Sequence, residues 1–174
     1  VKDRWIEALS LKSATREKIL EHRFIAEITS ELWRRGLFDF TVSHSEVDDS
    51  GYDLILELGD VMRHIQLKAK HDTGRTAQYS IQTALTQRPS GCVIVMIHDP
   101  KDLSLKGFRF LGNAPGKPLG GLGDRVARHT KGNSLGEKGL RPALRAVSLG
   151  KFEFVENIAQ LAELLFGPAL TNHS

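Results

Sequence analysis

Cysteine is almost missing from this 174-residue chain, with Cys92 as its single thiol. One thiol excludes disulfides and cysteine-rich zinc sites. Its place in the apolar run CVIVMIH (92–98) reads as a small buried hydrophobe and not as a nucleophile. Seven histidines are present, but no HxxxH or HExxH spacing sets two imidazoles on one helix face, so a histidine-built metal site is unsupported. Long apolar stretches are missing too. No run approaches the about 18 residues of a membrane span, and VKDRWIEALS at the start has no apolar segment after a basic one. The expectation is a cytoplasmic protein without membrane partners. Repeats and low-complexity segments are absent, and KGNSLGEKG (131–139) lacks the gap and the Lys-Ser/Thr ending of a phosphate-binding loop.

Acidic residues are scarce in one region. Between residues 101 and 150 stand ten Lys and Arg, among them Arg125, Arg128, Lys131, Arg141 and Arg145, against only Asp102, Asp124 and Glu137. The formal charge of the whole chain is only +3. The local excess suits a polyanionic partner, because cations near phosphates release condensed counterions. A solvated surface is the other reading.

With 40% hydrophobic residues, the chain can bury a core as one domain over 1–174. REKILEHRFIAEITSELWRR (16–35) places Ile25, Ile28 and Leu32 on one stripe, and Gly36 ends the helix. Residues 52–58 and 61–70 are strand-like runs joined at Gly59-Asp60, which predicts a hairpin. TAQYSIQTALTQ (76–87) has helical spacing through Tyr79, Ile81, Ala84 and Leu85. CVIVMIH is a buried strand, GFRFLG (107–112) a further one, and FVENIAQLAELLF (154–166) a closing amphipathic helix stopped by Gly167-Pro168. The core then spans about 16–112, followed by a basic, glycine-rich segment over 112–142 with a short helix at 124–129. This order predicts an α/β protein with a mixed sheet and helices on both faces.

The two-residue turn sets Asp53 opposite Gln66 and Gly51 opposite Lys68. Leu54, Leu56, Leu58, Val61, Ile65, Leu67 and Ala69 share a core face on which Arg63 is out of keeping. Asp53, Gln66, Lys68 and Lys70 lie on the other face, where directly opposed Cβ atoms are roughly 5 Å apart. Packing helix 16–35 on that polar face would aim Glu27 at Asp53. Two carboxylates with amide and carbonyl oxygens suit Mg²⁺, which prefers oxygen ligands. A lysine beside them can orient or deprotonate water and neutralise charge on a phosphate.

The first-helix acid, followed by Asp and then by QxK on a hairpin, resembles the PD-(D/E)XK nuclease superfamily. FIAEITSELWRRG, SGYDLILEL and HIQLKAK are most similar to its Mrr-like restriction endonucleases and archaeal Holliday-junction resolvases. The resemblance covers about residues 20–98 and implies a restriction-endonuclease-like αβββαβ core. It implies a metal site of Asp53 as principal ligand, Glu27 from the first helix, the Gln66 amide oxygen and the Leu67 carbonyl, with Lys68 as the water-activating cation. Its cofactor would be Mg²⁺, with Mn²⁺ as a substitute. The activity implied is endonucleolytic hydrolysis of DNA by a homodimer. Neutral Gln66 in place of an acid leaves open an inactive relative that binds nucleic acid or a protein. Lys70, Arg125, Arg128 and Lys131 are the candidate nucleic-acid contacts, although the segment around 125–131 could equally cap the sheet.

Overall fold

The hairpin register is the one the turn residues require. β2 (Leu54–Leu58) pairs with β3 (Val61–His71) from Leu58↔Val61 to Leu54↔Ile65, and Gly59 takes the positive φ of the turn, +57°. This computed structural model describes residues 3–171, the side chain of Asp48 excepted.

Around the hairpin a six-stranded mixed sheet runs in the order β1-β2-β3-β5-β6-β9, with β1 at Phe40–His44, β5 at Gly91–His98, β6 at Leu105–Gly112 and β9 at Glu153–Val155. Only β3 and β5 are parallel. The burial of CVIVMIH follows from its central position, since both faces of β5 are covered. Cys92 is fully buried there, and desolvation pushes its thiol up to about 12.

Helix α1 (Arg4–Leu11) leads into α2 (Ser13–Arg34), which ends at Gly36 with φ +76° and a Leu37 N–H to Leu32 C=O bond of 3.0 Å. That is a Schellman closure, and it uses the glycine expected to stop the helix. α2 buries Leu20, Phe24, Ile28 and Leu32 against Leu54, Leu56 and Ile65, together with Leu161 and Leu165 of α3 (Ile158–Phe166). Each such side chain contributes about 1.5–3 kcal/mol on burial. The seat of α2 is therefore the apolar face of the hairpin, not the polar face expected from the sequence. The leucines of β2 offer the larger apolar area, and the stripe through Leu20 and Phe24 matches it.

Further expectations change. Helices α2 and α3 flank the sheet on one face only. The other face is covered by a second, three-stranded sheet ordered β4-β8-β7, with β4 at Gln78–Gln82, β8 at Leu140–Ser148 and β7 at Val126–Arg128. Residues 76–87 are thus a strand and a 3₁₀ turn (Thr83–Gln87), not a helix. Tyr79 and Ile81 alternate with more exposed neighbours, and β8 satisfies their backbone. Residues 124–129 hold the strand β7 in place of the short helix, for the same reason. The closing helix begins only at Ile158, capped by Asn157 Oδ1, because Phe154 and Val155 pair with β6.

Arg63 is fully buried on the apolar face and, among the described residues, carries no carboxylate partner. Its guanidinium donates to the carbonyls of Leu165 (2.7 Å), Leu164 (2.9 Å) and Asn113 (2.7 Å), tying the end of α3 to the sheet. Among the described residues no helix is long and apolar enough to cross a membrane.

Candidate active site

β3 outruns its hairpin partner. β2 pairs with it only as far as Ile65, and β3 continues to His71. The backbone at Asp53 makes one further rung, its N–H donating to Ile65 C=O at 2.8 Å. Beyond it the Leu67 N–H donates to Asp53 Oδ2 at 2.6 Å, so a side-chain carboxylate takes up the first donor that the ladder leaves over. The N–H and C=O of one strand residue point to the same edge, so the Leu67 carbonyl lies on this open edge too.

The loop before Asp53 is fixed from behind. Gly51 has φ +87°, and a Cβ there would stand 2.7 Å from the Leu85 backbone nitrogen. Arg88 donates from Nε to Ser50 C=O at 3.0 Å and lies over the Tyr52 ring at 5.3 Å. This close approach brings the 3₁₀ turn against the loop and sets the position of Asp53.

A cleft of about 610 Å³ opens at this edge, with Asp53, Gln66, Leu67 and Lys68 in its floor, Glu17, Lys18 and Glu21 of α2 on one wall, and Tyr79 and Gln82 of β4 on another. Gln66 is only 5% exposed, and among the described residues its buried Oε1 has no hydrogen-bond partner. Burial pushes the Lys68 ammonium below its ordinary value; Asp53 and Glu17 pull it back up, and Arg141 lowers it further. Asp53 reaches solvent in the cleft, yet the surrounding walls displace enough water to raise its carboxyl above 3.8. The Leu67 N–H and Lys68 oppose that rise.

The α2 acids that line the cleft are Glu17 and Glu21, whereas Glu27, the first-helix acid expected beside Asp53, lies elsewhere. Positions 14, 17, 18 and 21 follow the helical repeat along one face of α2, and that face lines the cleft. Glu27 is six residues past Glu21, roughly a third of a turn around the helix and about 9 Å along it. It lies in a separate groove with Ser30, Arg34 and Ile158. Glu21 is the buried acid beside Asp53; its Oε1 stands 3.2 Å from Lys18 Nζ and 3.1 Å from His44 Nε2. The signal for Glu21 was its place one residue after Leu20 and three before Phe24, at the margin of the true apolar stripe.

Lys70 lies two residues past Lys68 on the same side of β3 and is half-buried. Arg125, immediately before β7, Arg128 at its end and Lys131 in the loop following it are exposed and lie outside the cleft. Arg128, His129, Lys131 and Lys138 together line a concavity of about 760 Å³ within the β7–β8 hairpin.

Among the described residues no three His, Cys, Asp or Glu side chains form a metal cluster. The cleft offers a mixed oxygen set instead: the Asp53 carboxylate, the unpartnered Gln66 Oε1 and the Leu67 carbonyl, with Glu21 at its margin. A buried amide oxygen with no donor is a vacant acceptor of the kind a hard cation uses, and the set fits Mg²⁺ with retained waters.

No protein family and no curated protein sequence matches this chain. Among solved structures it is similar to Archaeoglobus fulgidus Hjc, a Holliday junction resolvase from an archaeal hyperthermophile, at 15% identity and a TM-score of 0.35. The match covers 76% of this chain and 95% of that one.

Proposed function

We propose that the protein is a Mg²⁺-dependent endonuclease that hydrolyses DNA phosphodiester bonds at the open edge of β3. The observation that carries this reading is the convergence of Asp53, Gln66 and Lys68 at one strand end, as a PD-(D/E)XK-type site with QxK requires. Asp53, Gln66 Oε1 and the Leu67 carbonyl would hold the ion, and Glu21 takes the first-helix role that the sequence resemblance gave to Glu27. Bound there, Mg²⁺ supplies Lewis-acid stabilisation of the charge that develops on the phosphate. Lys68 holds the attacking water at Nζ; its depressed pKa brings the neutral, proton-accepting form closer to working pH. The Leu67 N–H fixes one carboxylate oxygen of Asp53 and leaves the other toward the cleft. Mn²⁺ would substitute for Mg²⁺, and cutting both strands of a duplex calls for a homodimer with two sites.

The neutral Gln66 favours a second reading, a nuclease-fold protein that binds nucleic acid without cutting it. Incubation with supercoiled plasmid, linear duplex and a four-way junction, in Mg²⁺, Mn²⁺ or EDTA, separates the two. The nuclease reading expects metal-dependent cutting that Lys68→Ala abolishes with the fold intact. Binding without cutting by the parent protein would establish the second, and cutting that persists in Lys68→Ala would remove Lys68 from the mechanism.

A further inference from the structure

From Arg128 to Ala143 every residue is exposed, so this stretch stands clear of both cores. It is a two-stranded ribbon. Ala127 pairs with Arg141 and Arg128 with Leu140, and the His129 N–H carries the ladder one rung farther by donating to Gly139 C=O at 2.9 Å. The far end is a closed turn. Asn133 Oδ1 accepts from the N–H groups of Leu135 and Glu137, each at 2.9 Å, and Gly136 takes a φ of +77°. Gly132 packs so closely on that turn that a Cβ there would stand 2.7 Å from the Gly136 carbonyl carbon. The ribbon caps nothing: its large apolar side chains, Leu135 and Leu140, are 80% and 57% exposed.

Arg128, Lys131, Lys138 and Arg141 stand on this ribbon against one acid, Glu137. That acid is engaged elsewhere, since Asn133 Nδ2 donates to Glu137 Oε2 at 3.4 Å. Arg128, Lys131 and Lys138 line one concavity of about 760 Å³; Arg128 and Lys138, with Arg125, line an adjoining one of about 660 Å³, where Asp124 is the one acid. Arg141 lines neither. Successive rungs of a ladder alternate in direction, so Arg141, paired one rung from Arg128, lies on the opposite face. Cations on both faces of so thin an element distinguish among polyanions. A flat anionic surface, such as a membrane, meets one face only, whereas a duplex groove has a phosphate backbone on each side.

We propose that the β7–β8 ribbon is a duplex-binding arm that lies in the major groove of DNA, with Arg128, Lys131 and Lys138 on one backbone and Arg141 on the other. Two strands about 4.8 Å apart, with their side chains, match a groove about 12 Å wide, which admits a two-stranded ribbon. Each cation that reaches a phosphate releases condensed counterions, and a guanidinium fork can meet two phosphate oxygens at once. This binding requires neither a metal nor the cleft, and it goes beyond the hydrolytic reading by giving the protein a second surface for the same polymer.

The test uses the full chain in EDTA with a fluorescein-labelled duplex, the duplex methylated at guanine N7, and vesicles of phosphatidylserine and phosphatidylcholine. Anisotropy over a salt series reads the contacts. Replacing Arg128, Lys131 and Lys138 together by Ala should lower the slope of log K against log salt by about two to three units, at roughly 0.9 for each lost phosphate contact. Arg141→Ala should lower it by about one, and Lys131→Arg with Lys138→Arg should keep it. Circular dichroism should be unchanged, since these side chains are exposed. Methylation at N7, which stands in the major groove, should weaken binding by the parent protein. An unaltered slope in the triple variant overturns the proposal, as does equal affinity for the methylated and unmethylated duplexes, or capture by vesicles without binding to duplex. A duplex bound through the arm in EDTA but never cut in Mg²⁺ supports the arm and overturns only the nuclease reading.

Discussion

The backbone N–H of Leu67 donates to Asp53 Oδ2 at 2.6 Å, across the end of a hairpin whose ladder has already stopped at Ile65. The carboxylate is held by the same strand that carries Gln66 and Lys68, so the geometry of the site follows from the hairpin register. An isothermal titration with Mn²⁺ should give a clear binding isotherm for the parent protein and none for Asp53→Ala. Gln66→Glu, which adds a charge at an oxygen now without a partner, should bind more tightly. Equal binding by Asp53→Ala and the parent would place the metal elsewhere.

The Asp53 carboxyl should titrate above 3.8 in metal-free protein, because burial outweighs the Leu67 N–H and the Lys68 charge. Its folded pKa lies above the unfolded one, so its contribution to stability is present at acid pH and is lost as pH rises through the folded pKa. Lys68→Ala removes a positive charge that lowers this pKa, so the midpoint should move higher still. Carboxyl carbon shifts followed by NMR in EDTA read both effects directly. A midpoint below 3.8 would mean that the walls of the cleft do not desolvate the group.

Glu21 and Glu27 make opposite predictions. Glu21→Gln should reduce metal-dependent cleavage by roughly 10- to 100-fold, the usual cost of losing a group that supports a metal site. Glu27→Gln should leave it nearly unchanged, because Glu27 lies in a different groove. Parallel rate measurements on the two variants suffice, and a larger loss for Glu27→Gln would reverse the assignment.

At Gly51 both the φ of +87° and the Cβ position 2.7 Å from Leu85 N oppose a side chain, whereas Gly59 has only its φ of +57° and open space around it. Gly59→Ala should cost about 1 kcal/mol. Gly51→Ala should cost more, with about 1–3 kcal/mol from backbone strain alone, and it should weaken Mn²⁺ binding by displacing Asp53. Urea denaturation gives the first comparison, and the same titration as above gives the second.

Arg63→Met fills much of the same space but leaves the Leu164, Leu165 and Asn113 carbonyls without their donor. An unsatisfied buried acceptor costs about 1–3 kcal/mol; the Leu165 bond is buried and the other two are part-buried, so a loss of about 1–3 kcal/mol or somewhat more is expected in chemical denaturation. Arg63→Lys should recover only part of it, since one ammonium cannot span three carbonyls in the guanidinium plane.

What the sequence determined by itself was local. Gly59-Asp60 and the alternation on either side specify the hairpin register, because a one-residue slip would turn Leu54, Leu56 and Leu58 to the wrong face. Register in turn brings Asp53, Gln66 and Lys68 together, so the floor of the site was legible in the sequence. The helix over 16–35, the buried strand 92–98 and the stop at Gly36 were legible for the same reason, each being fixed by neighbours within a few residues. What only the tertiary structure decided was which surfaces meet. Tyr79 and Ile81 fit a helical spacing as well as a strand one, and the partner that settles them, β8, is more than 60 residues away. Arg63, a misfit on an apolar face, finds its acceptors at residues 113, 164 and 165. The choice of face for α2 exchanged Glu27 for Glu21, because turning a helix to bury Leu20 and Phe24 against the leucines of β2 carries every polar residue on it to a new address. Periodicity states which residues share a face; the opposing face is chosen by the largest apolar area the whole chain can cover.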